Sequence, residues 1–243
     1  MPAKDIEVRI FETPEKLASS IAGMISRITR KHEKMPLHVA TSGGRTPGVL
    51  FETMAGNFRE KTEWPHIHFW WCDERCVAPG SPESNYGQAM KTLFSKVSIP
   101  EGNLHRIVGE ANPEEEAERY GLEIAGNLNS KFQWPVFDLV ILGMGEDGHI
   151  ASLFPGQLQL LNSPKICTVT SHPQTGQKRI TLTGKVFNNA RRVIIMVTGE
   201  GKSHRISEIM NNRKTARKLP AYYIDPGNGK LEWFLDAGAA SLI

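Results

Sequence analysis

Short apolar runs rich in β-branched residues recur along the chain, with helical patterns between them. The runs that we interpret as strands are residues 8–11, 37–40, 67–72, 137–142 and 192–197. Continuous runs of this kind suit strands that are covered on both faces. Between the first two, Leu17, Ile21, Ile25 and Ile28 repeat at helical spacing. The alternation predicts an α/β fold with a mostly parallel, doubly wound sheet flanked by helices.

Other segments complete this outline. Residues 113–131 open with Pro-Glu-Glu-Glu, which is typical of a helix start. Residues 179–183, 221–224 and 231–235 are interpreted as extra short strands near the C-terminus, antiparallel at an edge. Because no internal repeat, low-complexity tract or long linker interrupts the chain, we expect residues 1–243 to form a single domain.

Composition excludes several classes of function. The chain has 243 residues, of which 40% are hydrophobic and 23% charged, as in an ordinary globular protein. Its net charge is only +3 and no basic block is present, so we expect no nucleic-acid partner. No apolar run approaches the roughly 20 residues that span a bilayer, and residues 1–5 lead into a strand pattern rather than a signal peptide. We therefore expect a cytoplasmic protein with no membrane contact, a monomer or weak homodimer.

The cysteines do not suggest a disulfide framework, because there are only three of them, Cys72, Cys76 and Cys167. A metal cluster of His66, His68, Cys72 and Cys76 is the alternative to consider. The two histidines alternate along a strand-like run, and this spacing favours ordinary packing over ligation. We expect no metal and no cofactor.

In parallel sheets, ligands bind outside the carboxyl ends of the strands, so the loops after the apolar runs are where a site is expected. After residues 37–41 comes Ser42-Gly43-Gly44-Arg45-Thr46-Pro47, followed by a helical stretch. The glycines allow backbone amides to face an anion, Ser42 and Thr46 add hydroxyls, and Arg45 and the helix N-terminus add positive charge. These features predict a phosphate site. A plain strand-to-helix turn is the alternative, since glycines and a capping hydroxyl are common there.

A second loop carries Gly143-Met144-Gly145-Glu146-Asp147-Gly148-His149 after a buried strand. Histidine has a reference pKa of about 6.5 and can accept a proton from water, while a nearby carboxylate can orient its ring. His149 with Asp147 therefore indicates a general base, although a loop histidine is usually only a surface residue. No Gly-x-Ser-x-Gly nucleophile elbow is present, so direct attack by water is the simpler chemistry.

Two further strand ends carry charge. Asp73-Glu74-Arg75 should project from the end of the strand over 67–72, where either a site or a surface ion-pair cluster fits. Asn85 begins a helical segment, where it could act as a cap or reach a ligand hydroxyl. Lys202 follows glycines at a helix start, where a cation is unfavourable unless an anion binds beside it. Arg179 is a further candidate, although an arginine at a strand start is often simply solvated.

The motifs together resemble the 6-phosphogluconolactonase family, in order from about residue 7 to residue 235. The resemblance is carried by residues 42–47, 71–75, 84–86, 143–156 and 179–183. Its most specific part is Asp147-Gly148-His149-Ile150-Ala151-Ser152-Leu153-Phe154-Pro155-Gly156. The resemblance implies a single α/β domain shared with glucosamine-6-phosphate deaminase. It also implies hydrolysis of 6-phosphoglucono-δ-lactone in the pentose phosphate pathway, without a cofactor.

The resemblance further implies roles for individual residues. His149 would activate water with Asp147 beside it, and Asp73 and Arg75 would shape and polarise the site. The substrate would contact Ser42, Gly43, Gly44, Arg45, Thr46, Asn85, Gly145, Arg179 and Lys202, with its phosphate against the glycine loop, the arginines and the lysine. Two segments depart from the family pattern: Val77-Ala78-Pro79, where the family often has Val-Pro, and residues 172–177, where it usually has a proline-rich approach to Arg179.

Two rival functions share part of this pattern. A phosphosugar isomerase or deaminase on the same scaffold resembles a design with a glutamate five residues after the histidine, but this chain has Phe154 there, which cannot relay a proton. A non-catalytic phosphosugar sensor of the kind attached to transcription regulators would need a DNA-binding module, and we expect none, because the motifs occupy nearly all of the sequence.

Overall fold

The computed structural model describes residues 6–31 and 35–243, so the prediction for residues 1–5 lies outside the described part. The strands are β1 (Glu7–Phe11), β2 (Leu37–Thr41), β3 (Ile67–Trp71), β4 (Asp73–Arg75), β5 (Leu104–His105), β6 (Ser130–Lys131), β7 (Trp134–Pro135), β8 (Leu139–Gly143), β9 (Cys167–Ser171), β10 (Lys178–Leu182), β11 (Arg192–Val197) and β12 (Lys230–Asp236). The helices are α1 (Pro14–Lys31), α2 (Arg45–Ala55), α3 (Asn85–Thr92), α4 (Pro113–Asn127), α5 (Gly184–Phe187) and α6 (Ser203–Met210).

A seven-stranded sheet in the order β1-β12-β11-β8-β2-β3-β5 forms the centre of the molecule, and all its described pairings are parallel. The predicted α/β class is confirmed. The five apolar runs lie on β1, β2, β3, β8 and β11, and helices cover the sheet. Helix α1 buries Leu17, Ile21 and Ile25 fully, as its periodicity predicts.

A separate antiparallel sheet, in the order β4-β10-β9, lies beside the main one. The predicted strand over residues 179–183 is confirmed as β10, and it pairs antiparallel with both neighbours. The strand β4 follows directly after β3. Residues 73–75 therefore enter a second sheet rather than projecting into solvent, and Asp73 and Glu74 are buried.

Three local predictions are wrong. Residues 221–224 do not form a strand, because Pro220–Tyr223 is a 3₁₀ helix that begins at a proline. The strand over residues 231–235 exists as β12, but it lies between β1 and β11 and runs parallel to both. Helix α4 ends at Asn127 rather than at residue 131, since residues 130–131 pair with β7.

The sheet order changes direction between β2 and β8. From β2 the chain continues outward through β3 to β5, and from β8 it continues the other way through β11 to β12. In an open parallel sheet this is the point where a crevice forms outside the carboxyl ends. The loops after β3, β2, β8 and β11 therefore lie next to one another.

Candidate active site

A cleft of about 620 Å³ opens over the carboxyl ends of these four central strands. Every residue predicted from the sequence for the site lines the cleft, except Asp147. The lining residues are Ser42, Gly43, Gly44, Arg45, Thr46, Pro47, Asp73, Arg75, Asn85, Gly143, Met144, Gly145, His149, Ala151, Arg179 and Lys202.

Asp147 contacts the cleft indirectly, through His149. The Nδ1 of His149 lies 2.6 Å from Oδ1 of Asp147, and the backbone N–H of His149 donates to the same oxygen at 3.1 Å. With Nδ1 donating to a carboxylate, Nε2 is left as the ring nitrogen that can accept a proton. Burial alone would raise the pKa of Asp147, but its hydrogen bond to His149 and the charge of that ring lower the pKa instead.

The loop from residue 144 to residue 150 is closed by its own backbone. The N–H of Gly145 donates to the carbonyl of His149 at 2.9 Å, and the N–H of Gly148 donates to the carbonyl of Gly145 at 3.0 Å. A Cβ on Gly145 would lie 2.2 Å from Cε1 of His149, so only glycine leaves room for the imidazole. Gly148 has a φ of +84°, which also favours glycine. This loop therefore fixes the ring in one position.

Four cations line the cleft without a carboxylate partner. Among the residues that the structure describes, Arg45, Arg75, Arg179 and Lys202 make no ion pair within 4 Å. Outside the cleft, by contrast, Arg106, Arg119 and Arg192 each pair with a glutamate. Arg75 and Arg179 stand directly opposite each other in the β4–β10 register. Like charges placed opposite each other are unfavourable, so this arrangement indicates that an anion binds in the cleft.

The same conclusion follows from burial. Burial, and next the charge of Arg45, lower the pKa of Lys202, whose Nζ donates to the carbonyl of Thr198 at 3.3 Å. Burial, and next the charge of Arg75, lower the pKa of Arg179. An anion placed between these groups would offset both effects.

The N-terminus of α2, which follows the glycine loop of residues 42–44, also lies in this positive region. Gly44 is the N-cap residue with a φ of +98°, no side chain caps the helix, and its first turn has no acidic residue. The first backbone N–H groups of α2 are therefore available to a ligand, and the helix dipole favours an anion there.

Asp73 is held from two sides. Its Oδ2 accepts a hydrogen bond from Oγ of Ser152 at 2.6 Å, and its backbone carbonyl accepts one from Nδ2 of Asn85 at 2.9 Å. Ser152 is fully buried. Its role was missed in the sequence, since a buried serine within an apolar run has no distinguishing pattern.

Glu74 is a second residue whose role the sequence does not reveal. Its buried carboxylate accepts hydrogen bonds from Oγ of Ser84 at 3.0 Å and from the backbone N–H groups of Asn85 and Tyr86 at 2.8 Å. Glu74 thus accepts hydrogen bonds from N–H groups at the start of α3 that have no partner within the helix. Burial raises the pKa of Glu74. Glu74 does not line the cleft itself, but it holds Asn85 there.

The Phe154 side chain completes the environment of His149. The two ring centroids are 5.0 Å apart, and the guanidinium of Arg179 lies 5.9 Å from the Phe154 ring. Phe154 is fully buried. No acidic group therefore occupies the fifth position after the histidine.

In residues 6–31 and 35–243, no group of three or more His, Cys, Asp or Glu side chains is arranged to hold a metal ion. His66 ends a 3₁₀ helix, Trp64–His66, rather than lying on β3, so the predicted alternation with His68 is wrong. None of the described helices combines the length and apolarity needed to cross a bilayer.

Comparisons with known proteins agree with this geometry. A model of the family described as glucosamine-6-phosphate isomerases/6-phosphogluconolactonase matches residues 12–233. A 6-phosphogluconolactonase from Aggregatibacter actinomycetemcomitans is 42% identical over 209 residues, which cover 86% of this chain and 88% of the relative.

Solved structures are similar over nearly the whole chain. The 6-phosphogluconolactonase from Thermotoga maritima superposes with a TM-score of 0.81 at 31% identity, covering 96% of this chain and 100% of its own. A monomeric glucosamine-6-phosphate deaminase gives the same TM-score at 18% identity, covering 98% and 100%. The second likeness concerns the fold alone.

Proposed function

Because the chain belongs to the family of glucosamine-6-phosphate isomerases and 6-phosphogluconolactonases, we propose that it hydrolyses 6-phospho-D-glucono-1,5-lactone to 6-phospho-D-gluconate, a step of the oxidative pentose phosphate pathway. The observation that carries the proposal is a carboxylate-oriented imidazole that shares one cleft with four unpaired cations. The names of the relatives support the choice of substrate.

The phosphate of the substrate binds where positive charge and free amides coincide. Gly43, Gly44, Arg45 and Lys202 surround the N-terminus of α2, and Arg179 adds a further guanidinium to the cleft. Ser42, in the loop before α2, and Thr46, in the first turn of α2, contribute hydroxyl groups to the same part of the cleft. Anchoring the phosphate fixes the lactone relative to the protein, so that an encounter with solvent becomes a positioned attack.

The reaction is a general-base hydrolysis. His149 takes a proton from water through Nε2 as the water attacks C1, and Asp147 stabilises the imidazolium that forms. Arg75 or loop amides stabilise the oxyanion of the tetrahedral intermediate, while Asp73 shapes the site. His149 then returns the proton to the ring oxygen as the C1–O bond breaks. A δ-lactone is already reactive, so about 10²–10⁴-fold from the base, with positioning, is enough.

The decisive experiment is a lactonase assay on the purified protein. The lactone is generated in situ, acid release is followed, and spontaneous hydrolysis is subtracted. We expect His149→Ala to lower kcat by at least about 10²-fold while the affinity for 6-phosphogluconate is nearly unchanged. The control is His204→Ala, since His204 is exposed on α6. An unchanged kcat in His149→Ala would show that His149 is not the general base.

A deaminase on the same scaffold is the nearest alternative. It would need a proton relay at the position that Phe154 occupies, and the phenyl ring has no group to exchange a proton. Incubation with glucosamine 6-phosphate and an ammonia assay separates the two. We expect no ammonia release above the blank.

A further inference from the structure

Asn85 carries a buried acceptor that the protein itself leaves unused. The residue is 2% exposed, it lines the cleft, and its Oδ1 has no hydrogen-bond partner among the residues described. A buried polar atom without a partner costs free energy, so native proteins rarely keep one unless a ligand or water satisfies it.

The orientation of the amide is fixed by its other end. Nδ2 donates to the backbone carbonyl of Asp73 at 2.9 Å, so exchanging the two amide ends would bring two oxygens together. The backbone N–H of Asn85 donates to Glu74 at 2.8 Å, at the start of α3. Neither the side chain nor the helix can therefore turn to find another donor for Oδ1.

The glycine loop is shaped around the same oxygen. A Cβ on Gly43 would lie only 2.0 Å from Oδ1 of Asn85 and 2.2 Å from its Cγ. Glycine at position 43 thus provides the space that the amide occupies, next to the loop on which the phosphate is expected to bind. Asn85 stands between this loop and Asp73.

The chemistry of the atom selects its ligand. A carbonyl oxygen accepts a hydrogen bond and cannot donate one, so neither a phosphate dianion nor a carboxylate can satisfy it. Nearby, Nε of Arg75 and Nε of Arg179 are also buried without partners, but these are donors suited to anions. Oδ1 needs an O–H group, and a sugar lactone brings hydroxyls at C2, C3 and C4.

We propose that Asn85 is a specificity-determining residue, whose Oδ1 accepts a hydrogen bond from one ring hydroxyl of the lactone and so discriminates against the epimer at that carbon. This inference rests on the proposed lactonase function. A site built to bond a hydroxyl strongly rejects a molecule that lacks it, because the buried group is then left unpaired.

The test compares four 6-phospho-δ-lactones, those of glucose, mannose, allose and galactose, which differ in configuration at C2, C3 or C4. For the unaltered protein, we expect kcat/KM for one epimer to be at least about 10²-fold below that of the glucose lactone. In Asn85→Ala, the glucose lactone should lose most of this advantage while the disfavoured epimer changes by less than about threefold.

Ser84→Ala is the matched control, because Ser84 caps α3 and bonds Glu74 without lining the cleft. It should affect all four lactones equally, and melting temperatures identify variants that fail to fold. An equal loss on every lactone in Asn85→Ala, or no discrimination in the unaltered protein, would overturn the inference. If the unaltered protein hydrolyses none of the lactones, the proposed function itself fails.

Discussion

At the scale of single residues, the position of His149 depends on its neighbours in one short loop. Gly145 leaves the space for the imidazole, and Asp147 fixes its tautomer. These two contributions can be separated, because the first is steric and the second is electrostatic.

Gly145→Ala tests the steric contribution. The new methyl group would lie 2.2 Å from Cε1 and 2.3 Å from Nδ1 of His149, so the ring must move. We expect kcat to fall by about 10²-fold or more with a small change in melting temperature. Gly126→Ala is the control, because nothing lies within 4 Å of its Cβ on α4, and it should stabilise the protein by about 0.5–1 kcal/mol. Unchanged kcat in Gly145→Ala would show that the ring position is not critical.

Asp147→Asn tests the electrostatic contribution. The carboxylate of Asp147 lies 2.6 Å from Nδ1 of His149, and its lowered pKa keeps it ionised. Removing this negative charge while keeping the size of the side chain destabilises the imidazolium that forms during the reaction, so kcat should fall at least about 10²-fold with the affinity for 6-phosphogluconate nearly unchanged. An unchanged kcat would show that the carboxylate does not assist the base.

At the scale of elements, loops that follow parallel strands were easier to predict than strand partners. Gly43 and His149 were identifiable because glycines and polar groups interrupt apolar runs at strand ends. The position of β12 in the sheet could not be predicted in this way. Its Glu232 pairs with Ile194 and Glu7, which are distant in sequence. Glu232 is buried and forms ion pairs with Arg9 and Arg192, which a local pattern cannot reveal.

The segment over residues 221–224 shows why local propensity misleads. Its tyrosines and isoleucine favour a strand, but Pro220 opens a 3₁₀ helix. The N–H of Ala221 donates to the carbonyl of Gly148 at 3.2 Å, so the segment supports the loop of the candidate base. Tertiary contact, rather than propensity, decides its conformation.

Strands β2, β3 and β5 carry a row of histidines that makes stability depend on pH. Nδ1 of His68 lies 2.9 Å from Nε2 of His105, whose Nδ1 lies 2.6 Å from Glu123. The ring of His38 lies tilted against that of His68, with the ring centroids 5.0 Å apart. Burial, followed by the charges of His68 and His105, lowers the pKa of His38 to about 4.

The sign of the effect follows from these pKa values. The pKa of His38 in the folded protein lies below the unfolded value of about 6.5, so the unfolded chain takes up a proton first as the pH falls. The contribution of His38 to folding stability is therefore complete above about pH 6.5 and is lost as the pH falls towards 4. We expect the free energy of unfolding to drop by about 1–2 kcal/mol in this range, allowing for partial exposure. His38→Gln, which keeps an acceptor for Nε1 of Trp70, should flatten the profile in urea unfolding. If the free energy of unfolding of His38→Gln fell with pH as steeply as that of the unaltered protein, His38 would not be the group responsible.

At the scale of the whole molecule, the change of direction in the sheet order brings together residues as distant in sequence as Ser42 and Lys202. The sequence predicted twelve of the sixteen lining residues, because the strand ends were clear. It did not predict that Arg75 and Arg179 face each other, because the β4–β10 pairing has no local signal. Nor did it predict that Ser152 holds Asp73, since the two are 79 positions apart.

This arrangement predicts that the product stabilises the fold. Binding of 6-phosphogluconate to the folded state alone should raise the melting temperature, with about 2.7 kcal/mol expected at 100 times Kd. Lys202→Gln and Arg45→Gln should each reduce the shift, and high salt should reduce it further. Lys214→Gln is the control, because Lys214 is exposed on a 3₁₀ helix, Lys214–Lys218, away from the cleft. Equal shifts in all variants would argue against this phosphate site.

A structure of the protein in complex with 6-phosphogluconate would show whether one molecule contacts both the phosphate site and the imidazole. We expect the phosphate against Gly43, Gly44 and Lys202 at the N-terminus of α2, and the C1 carboxylate within hydrogen-bond reach of Nε2 of His149. A complex in which the phosphate binds outside the cleft, or in which C1 lies far from His149, would contradict it.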